Sequence, residues 1–75
     1  MNPTYRYLFG MQLRALREER GLQQKVVAAS LRISPSTYSN YENGIYSPNL
    51  DTLIQIADLF DISLDRLVGR DGDSV

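Results

Sequence analysis

Neither cysteine nor histidine occurs in the 75 residues of this chain. Their absence excludes disulfides, thiolate and imidazole metal sites, thiol nucleophiles and imidazole bases. A cysteine-free chain also fits a reducing compartment. No apolar run approaches the ~20 residues that a membrane-crossing helix needs. The N-terminal stretch MNPTYRYLFG lacks the charged-then-apolar order of a secretory signal. A cytoplasmic protein without a membrane partner is therefore expected. Strand-like alternation, internal repeats and low-complexity blocks are missing as well. The glycines (10, 21, 44, 69 and 72) are scattered and form no phosphate-cradling loop. No catalytic constellation, cofactor, metal or small-molecule ligand is expected, and the chain does not read as an enzyme.

What is present is one small domain's worth of helix-forming sequence. A chain of this size buries a modest core and depends on efficient helix packing or a partner. The net charge of −1 argues, taken alone, against a nucleic-acid binder. Its distribution argues the other way. Residues 1–50 carry six cations (Arg6, Arg14, Arg17, Arg20, Lys25, Arg32) against three glutamates, a balance of +3. Residues 51–75 carry Arg66 and Arg70 against six aspartates, a balance of −4. One half of the chain can face phosphates while the other keeps the protein soluble, although ordinary surface charge gives the same pattern.

Hydrophobic spacing and end signals predict five short helices. The first covers about residues 4–20, with Phe9, Leu13 and Leu16 inward and Gly21 as its stop. Gly10 inside it costs helix propensity and permits close packing. The second covers about 24–31 on Val27, Ala28 and Leu31, with Gln23 a poor cap. The third follows the Ser34 cap and Pro35, with Ile33 and Tyr38 placed for a hydrophobic staple, and stops at Gly44. The fourth follows Asn49 and runs to Phe60 on Leu50, Leu53, Ile56, Ala57 and Phe60. The fifth follows Ser63 through Val68 and stops at Gly69. The tail RDGDSV is expected to fray.

The third helix carries the functional signal. On a wheel of about 100° per residue with Ser36 at zero, Asn40 falls at about 40°, Thr37 at about 100° and Ser39 at about −60°. These four form one continuous polar face. Tyr41, Tyr38 and Glu42 fall on the other side, at about 140°, 200° and 240°. An inward carboxylate must be paired, because burying it alone is costly. Arg17, on the edge of the first helix's apolar stripe, is the expected partner; the competing reading leaves Glu42 hydrated near the helix end. Small hydroxyls and an asparagine are ordinary on a solvated surface. Here they sit on the second of two short helices joined by a tight link, which is the arrangement of a helix-turn-helix. Its second helix enters the DNA major groove, where Asn can bond adenine bidentately and Ser or Thr can donate, accept or touch the thymine methyl.

From Phe9 to Gly69 the chain resembles the Cro/CI-type helix-turn-helix domain, the XRE family of phage and bacterial regulators. The marks are LRxLRxxxGLxQ, then S-x-S-T-Y-S-x-Y-E-N-G, then SPNLDTLxxIA and ISLDRLxG, in order and at the family's spacings. The resemblance implies an all-α, compact five-helix, lambda-repressor-like domain over 9–69, preceded by an extension (1–8) and followed by a flexible tail (70–75). It implies base-reading roles for Ser36, Thr37 and Asn40, with Ser39 on the flank. It implies DNA-backbone contacts for Gln24, Asn43 and Tyr46, and a structural Arg17–Glu42 salt bridge. Three features depart from the pattern: Gln23 replaces a Ser or Thr cap, Val26 replaces a charged residue, and the domain is not basic overall.

A sequence-specific regulator of double-stranded DNA, a repressor working as a homodimer on a near-palindromic operator, is the leading expectation. Apolar residues left over for a dimer surface are Ile54, Leu59, Leu64, Leu67 and Val68, unless they complete the core. Tyr5 and Tyr7 either form an aromatic patch for a partner chain or cover the base of the bundle. The alternative is a protein-interaction module on the same helix-turn-helix body, meeting a partner regulator or RNA polymerase, with Val26 as part of the contact.

Overall fold

The computed structural model describes residues 3–70. Five helices and no strand occur among them: α1 (Pro3–Glu19), α2 (Gln24–Ser30), α3 (Pro35–Glu42), α4 (Leu50–Phe60) and α5 (Leu64–Leu67). The expected all-helical class and helix order are both found. Residues 3–8, read as part of an extension, form the first turns of α1. Of the expected flexible tail, all but Arg70 lies outside the described residues.

Three of the helices start where a side chain can accept an otherwise unpaired N–H. Ser34 Oγ accepts from the Thr37 amide at 3.1 Å, Asn49 Oδ1 from Thr52 at 2.9 Å, and Ser63 Oγ from Arg66 at 3.1 Å. Such caps each contribute about 1 kcal/mol. Gln23 makes no capping bond, as its side chain predicts.

All five described helices end in one way. At each, the amide after a residue of positive φ bonds a carbonyl five residues back: Leu22 to Arg17, Ile33 to Ala28, Ile45 to Asn40, Ile62 to Ala57 and Arg70 to Asp65. This closure needs one residue with positive φ just past the helix. Glycine takes that place at 21, 44 and 69, but Arg32 (φ 59°) and Asp61 (φ 55°) take it at the ends of α2 and α4. Aspartate visits this region with help from its short polar side chain, whereas arginine has no such relief and costs roughly 1–2 kcal/mol there.

The core is one cluster of Phe9, Leu13, Leu16, Val27, Ala28, Leu31, Tyr38, Tyr41, Ile56, Ala57, Phe60 and Leu67, with Leu22, Ile33, Leu53 and Ile62 packed at its margin. Two expectations are corrected by it. Leu50, placed on the inner stripe of α4, is 64% exposed, because it sits in the first turn before the helix reaches the core. Leu67, offered for a dimer surface, is fully buried as the inward residue of α5.

The tightest joint lies between α1 and α3. A Cβ added at Gly10 would stand 2.5 Å from the Glu42 carbonyl oxygen and 2.7 Å from that of Tyr41. Only glycine lets the two backbones approach so closely. α3 therefore leans its last turn directly on α1, which fixes its direction and the way its two sides face.

Candidate nucleic-acid interface

α2 and α3 are joined by four residues, 31–34, which turn the chain through Arg32 and deliver Ser34 as the cap of α3. The staple predicted from Ile33 fits this turn: Ile33 packs against the core cluster that contains Tyr38.

The inward side of α3 is held by Glu42, whose side chain is wholly buried. Arg17 grips it side-on, Nε to Oε2 at 2.6 Å and Nη2 to Oε1 at 3.1 Å. The third guanidinium nitrogen of Arg17 donates to the Leu22 carbonyl at 2.8 Å. The expected Arg17–Glu42 pair is thus present, with two further donors that wheel geometry does not identify. Arg14 Nε donates to Oε1 at 3.3 Å and Gln24 Nε2 to the same oxygen at 3.0 Å. Three helices therefore converge on one carboxylate.

The electrostatics follow from this convergence. Burial pushes the Glu42 carboxyl up, but the Arg17 guanidinium and neighbouring donors outweigh it and hold the carboxyl below its usual range. The Glu42 bonds in turn raise Arg17. Tyr38, whose hydroxyl is buried beside Glu42, is raised above the usual phenol range, by burial first and then by its interaction with the Glu42 carboxylate.

The opposite side of α3 faces outward. Ser36 is exposed, and Thr37, Ser39 and Asn40 are half-buried. Thr37 Oγ1 accepts from Ser34 Oγ at 2.9 Å, and Ser39 Oγ accepts from Asn43 Nδ2 at 3.3 Å. Asn40 Nδ2 donates to the Tyr46 hydroxyl at 2.8 Å. Asn43, just past the helix, receives Arg14 Nη2 on its Oδ1 at 2.9 Å. The structure thus brings Ser36, Thr37, Ser39, Asn40, Asn43 and Tyr46 onto and beside one helix. Gln24 is tied to the same helix through Glu42.

Arg14 and Arg20 were missed as structural residues. Arg14 shares its guanidinium between Glu42 and Asn43. Arg20 lays its guanidinium 5.0 Å above the Phe60 ring and donates to the Phe60 carbonyl at 2.8 Å. It ties the end of α1 to the end of α4. Its spacing on the apolar stripe was the available signal; its place in the last turn masked it.

Of the remaining dimer candidates, Ile54, Leu59 and Leu64 are exposed. Val68 is half-buried and lines an apolar cleft of about 310 Å³ with Tyr5, Phe9, Ser47, Leu53 and Arg70. Tyr5 and Tyr7 are both more than half exposed, and the Tyr7 ring lies over Gly44. Val26 is exposed on α2. No helix among the described residues is long and apolar enough to cross a membrane.

Two short helices at a tight turn, the second pinned on one side and polar on the other, define a helix-turn-helix. The sequence pattern of the helix-turn-helix family matches residues 13–67. The chain belongs to that family, the Cro/CI-type or XRE group, whose members are regulators and not enzymes. It is similar to the HTH-type transcriptional regulator ImmR of Bacillus subtilis (37% identical over 62 residues, covering 83% of this chain and 49% of ImmR). It is also similar to the cryptic phage CTXphi transcriptional repressor RstR of Vibrio cholerae (36% over 61 residues, covering 81% of this chain and 55% of RstR). The chain spans about half the length of these relatives. Among solved structures, the clp gene regulator ClgR from C. glutamicum superposes with a TM-score of 0.77 at 25% identity, over 95% of this chain and 94% of ClgR.

Proposed function

We propose that this protein is a sequence-specific transcriptional repressor that reads double-stranded DNA through the major groove with α3. The observation that carries this reading is the two-sidedness of α3: Glu42 is buried under Arg17 while Ser36 and its neighbours are left facing outward. Ser36, Thr37, Asn40 and Ser39 are the base-reading residues, short enough for the helix to approach base edges closely. Gln24, Asn43 and Tyr46 contact the DNA backbone and set the register. The name of RstR, a transcriptional repressor, supports the direction of regulation.

One copy of α3 makes few base contacts, each contributing about 1–3 kcal/mol of discrimination. A homodimer on a near-palindromic operator, with half-sites about 34 Å apart, doubles them. Ile54, Leu59 and Leu64 are exposed apolar residues suited to the contact between copies.

The test is Asn40→Ala, a change outside the core. Measured by fluorescence anisotropy on a selected site and on random duplex, the variant is expected to lose affinity for the site by about five-fold or more per half-site. Binding to random duplex and the thermal unfolding midpoint should be retained. Equal loss on both duplexes would remove Asn40 from base reading.

A further inference from the structure

Asn40 and Tyr46 form a closed unit at the end of α3. The Asn40 amide donates to the Tyr46 hydroxyl at 2.8 Å. The Tyr46 ring stands edge-on against Tyr41, with centroids 5.9 Å apart and planes at 85°, and Tyr41 is buried. The loop that carries Tyr46 is itself fastened to this turn, because the Ile45 amide bonds the Asn40 carbonyl at 3.0 Å and the Gly44 amide bonds that of Tyr41 at 3.2 Å. Both ends of the side-chain bond therefore hang from the same turn of α3, and the bond favours one orientation of the carboxamide.

A carboxamide offers two N–H donors and one carbonyl acceptor. With one N–H given to the phenol, a donor and an acceptor remain. That pair complements adenine in the major groove, which shows an N7 acceptor beside an N6 amino donor. Turned by 180°, the same side chain would take the phenol's O–H on its carbonyl, and its outward donor and acceptor would exchange places, out of register with the N6 donor and N7 acceptor of adenine. With the phenol oxygen as the acceptor, the bond to Tyr46 keeps the order that matches adenine. Accepting from Asn40 also leaves the Tyr46 O–H free to donate to a phosphate oxygen, which joins the backbone contact to the base reading.

We infer that Tyr46 is a specificity-setting residue: by accepting the Asn40 N–H it fixes the carboxamide in the orientation that reads adenine. This rests on the proposal that α3 reads bases. Tyr46 is a positioning residue for the base contact, in addition to its place beside the DNA backbone.

The test is selection of bound duplexes from a random pool with the wild-type chain, Tyr46→Phe, Asn40→Ala and the double variant. Phenylalanine keeps the ring against Tyr41, so folding is expected to be retained, as a thermal melt will show. The wild-type chain should enrich adenine at one position per half-site, and Asn40→Ala should erase that preference. Tyr46→Phe should still bind, with its preference for adenine over guanine at that position reduced by about five-fold or more. In the Asn40→Ala background, adding Tyr46→Phe should change no base preference. A Tyr46→Phe variant that keeps the wild-type preference, or loses affinity equally for all sequences, would overturn the inference and leave base reading by α3 standing. So would a wild-type preference for guanine at the Asn40-dependent position. A wild-type chain that enriches no sequence would instead overturn the underlying proposal.

Discussion

Glu42→Ala is expected to destabilise the domain by about 3–5 kcal/mol, the range for breaking one side of a buried ion pair. The loss comes less from the missing attraction than from what is left behind. Arg17, with a side chain only 13% exposed, keeps its charge and loses its counter-ion. Gln24 and Arg14 lose the same acceptor. A single domain has roughly 5–15 kcal/mol of stability in all, so the loss takes a large share of it and should lower the denaturation midpoint markedly. Urea denaturation checks this, and the double replacement Arg17→Met with Glu42→Leu provides the control. If desolvated charge is the cause, removing both charges should cost less than removing Glu42 alone.

The same cluster sets the pH range of stability. The folded-state carboxyl of Glu42 lies below its unfolded value of about 4.3, so its contribution is present above that value and is lost as pH falls through the folded-state value. Tyr38 acts at the other limit. Its phenol is raised in the fold, so its contribution is complete below the unfolded value of about 10 and is lost at higher pH, where the unfolded chain ionises first. Denaturation midpoints across pH should form a plateau between these limits, and in Glu42→Gln the acid shoulder should shrink.

Gly10→Ala is the second large effect, and two physical terms oppose each other in it. Alanine in mid-helix is favoured over glycine by about 1 kcal/mol. Against this, the new Cβ would stand 2.5 Å and 2.7 Å from two backbone carbonyl oxygens of α3. Backbone cannot swing aside as a side chain can, so α1 and α3 must separate. Overpacking of this kind typically costs about 1–3 kcal/mol, and here the separation also stretches the bonds to Glu42. The steric term is expected to win, giving a net loss of stability and, because α3 is displaced, weaker DNA binding. A Gly10→Ala variant that melts at or above the wild-type temperature would mean that the two helices are not held this closely.

Helix starts were legible because Ser34, Asn49 and Ser63 carry their own physical reason, a side-chain acceptor before an apolar run. The Arg17–Glu42 pair was legible because both residues fall on inward arcs and a buried carboxylate requires a cation. What stayed hidden depends on what lies opposite each helix, which a wheel does not contain. Leu50 and Leu67 both fit an apolar stripe, yet one meets solvent and the other the core. Arg14 and Gln24 join Glu42 only because α1 and α2 meet at the end of α3. The left-handed turns at Arg32 and Asp61 carry no glycine to announce them. On the outward face, residue types suggested hydrogen bonding to bases, but the Asn40–Tyr46 bond depends on how the loop after Gly44 folds back.

The central claim is that the outward side of α3 reads bases while its Glu42 side is locked inward. Selection of bound sequences from random duplexes, run with the unmodified chain, tests it most directly. A two-fold symmetric consensus, with half-site centres one helical turn apart and preferences that vanish on substituting Ser36 or Asn40, is the predicted result. Recovery of unenriched random sequence, or of a consensus indifferent to both residues, would contradict it.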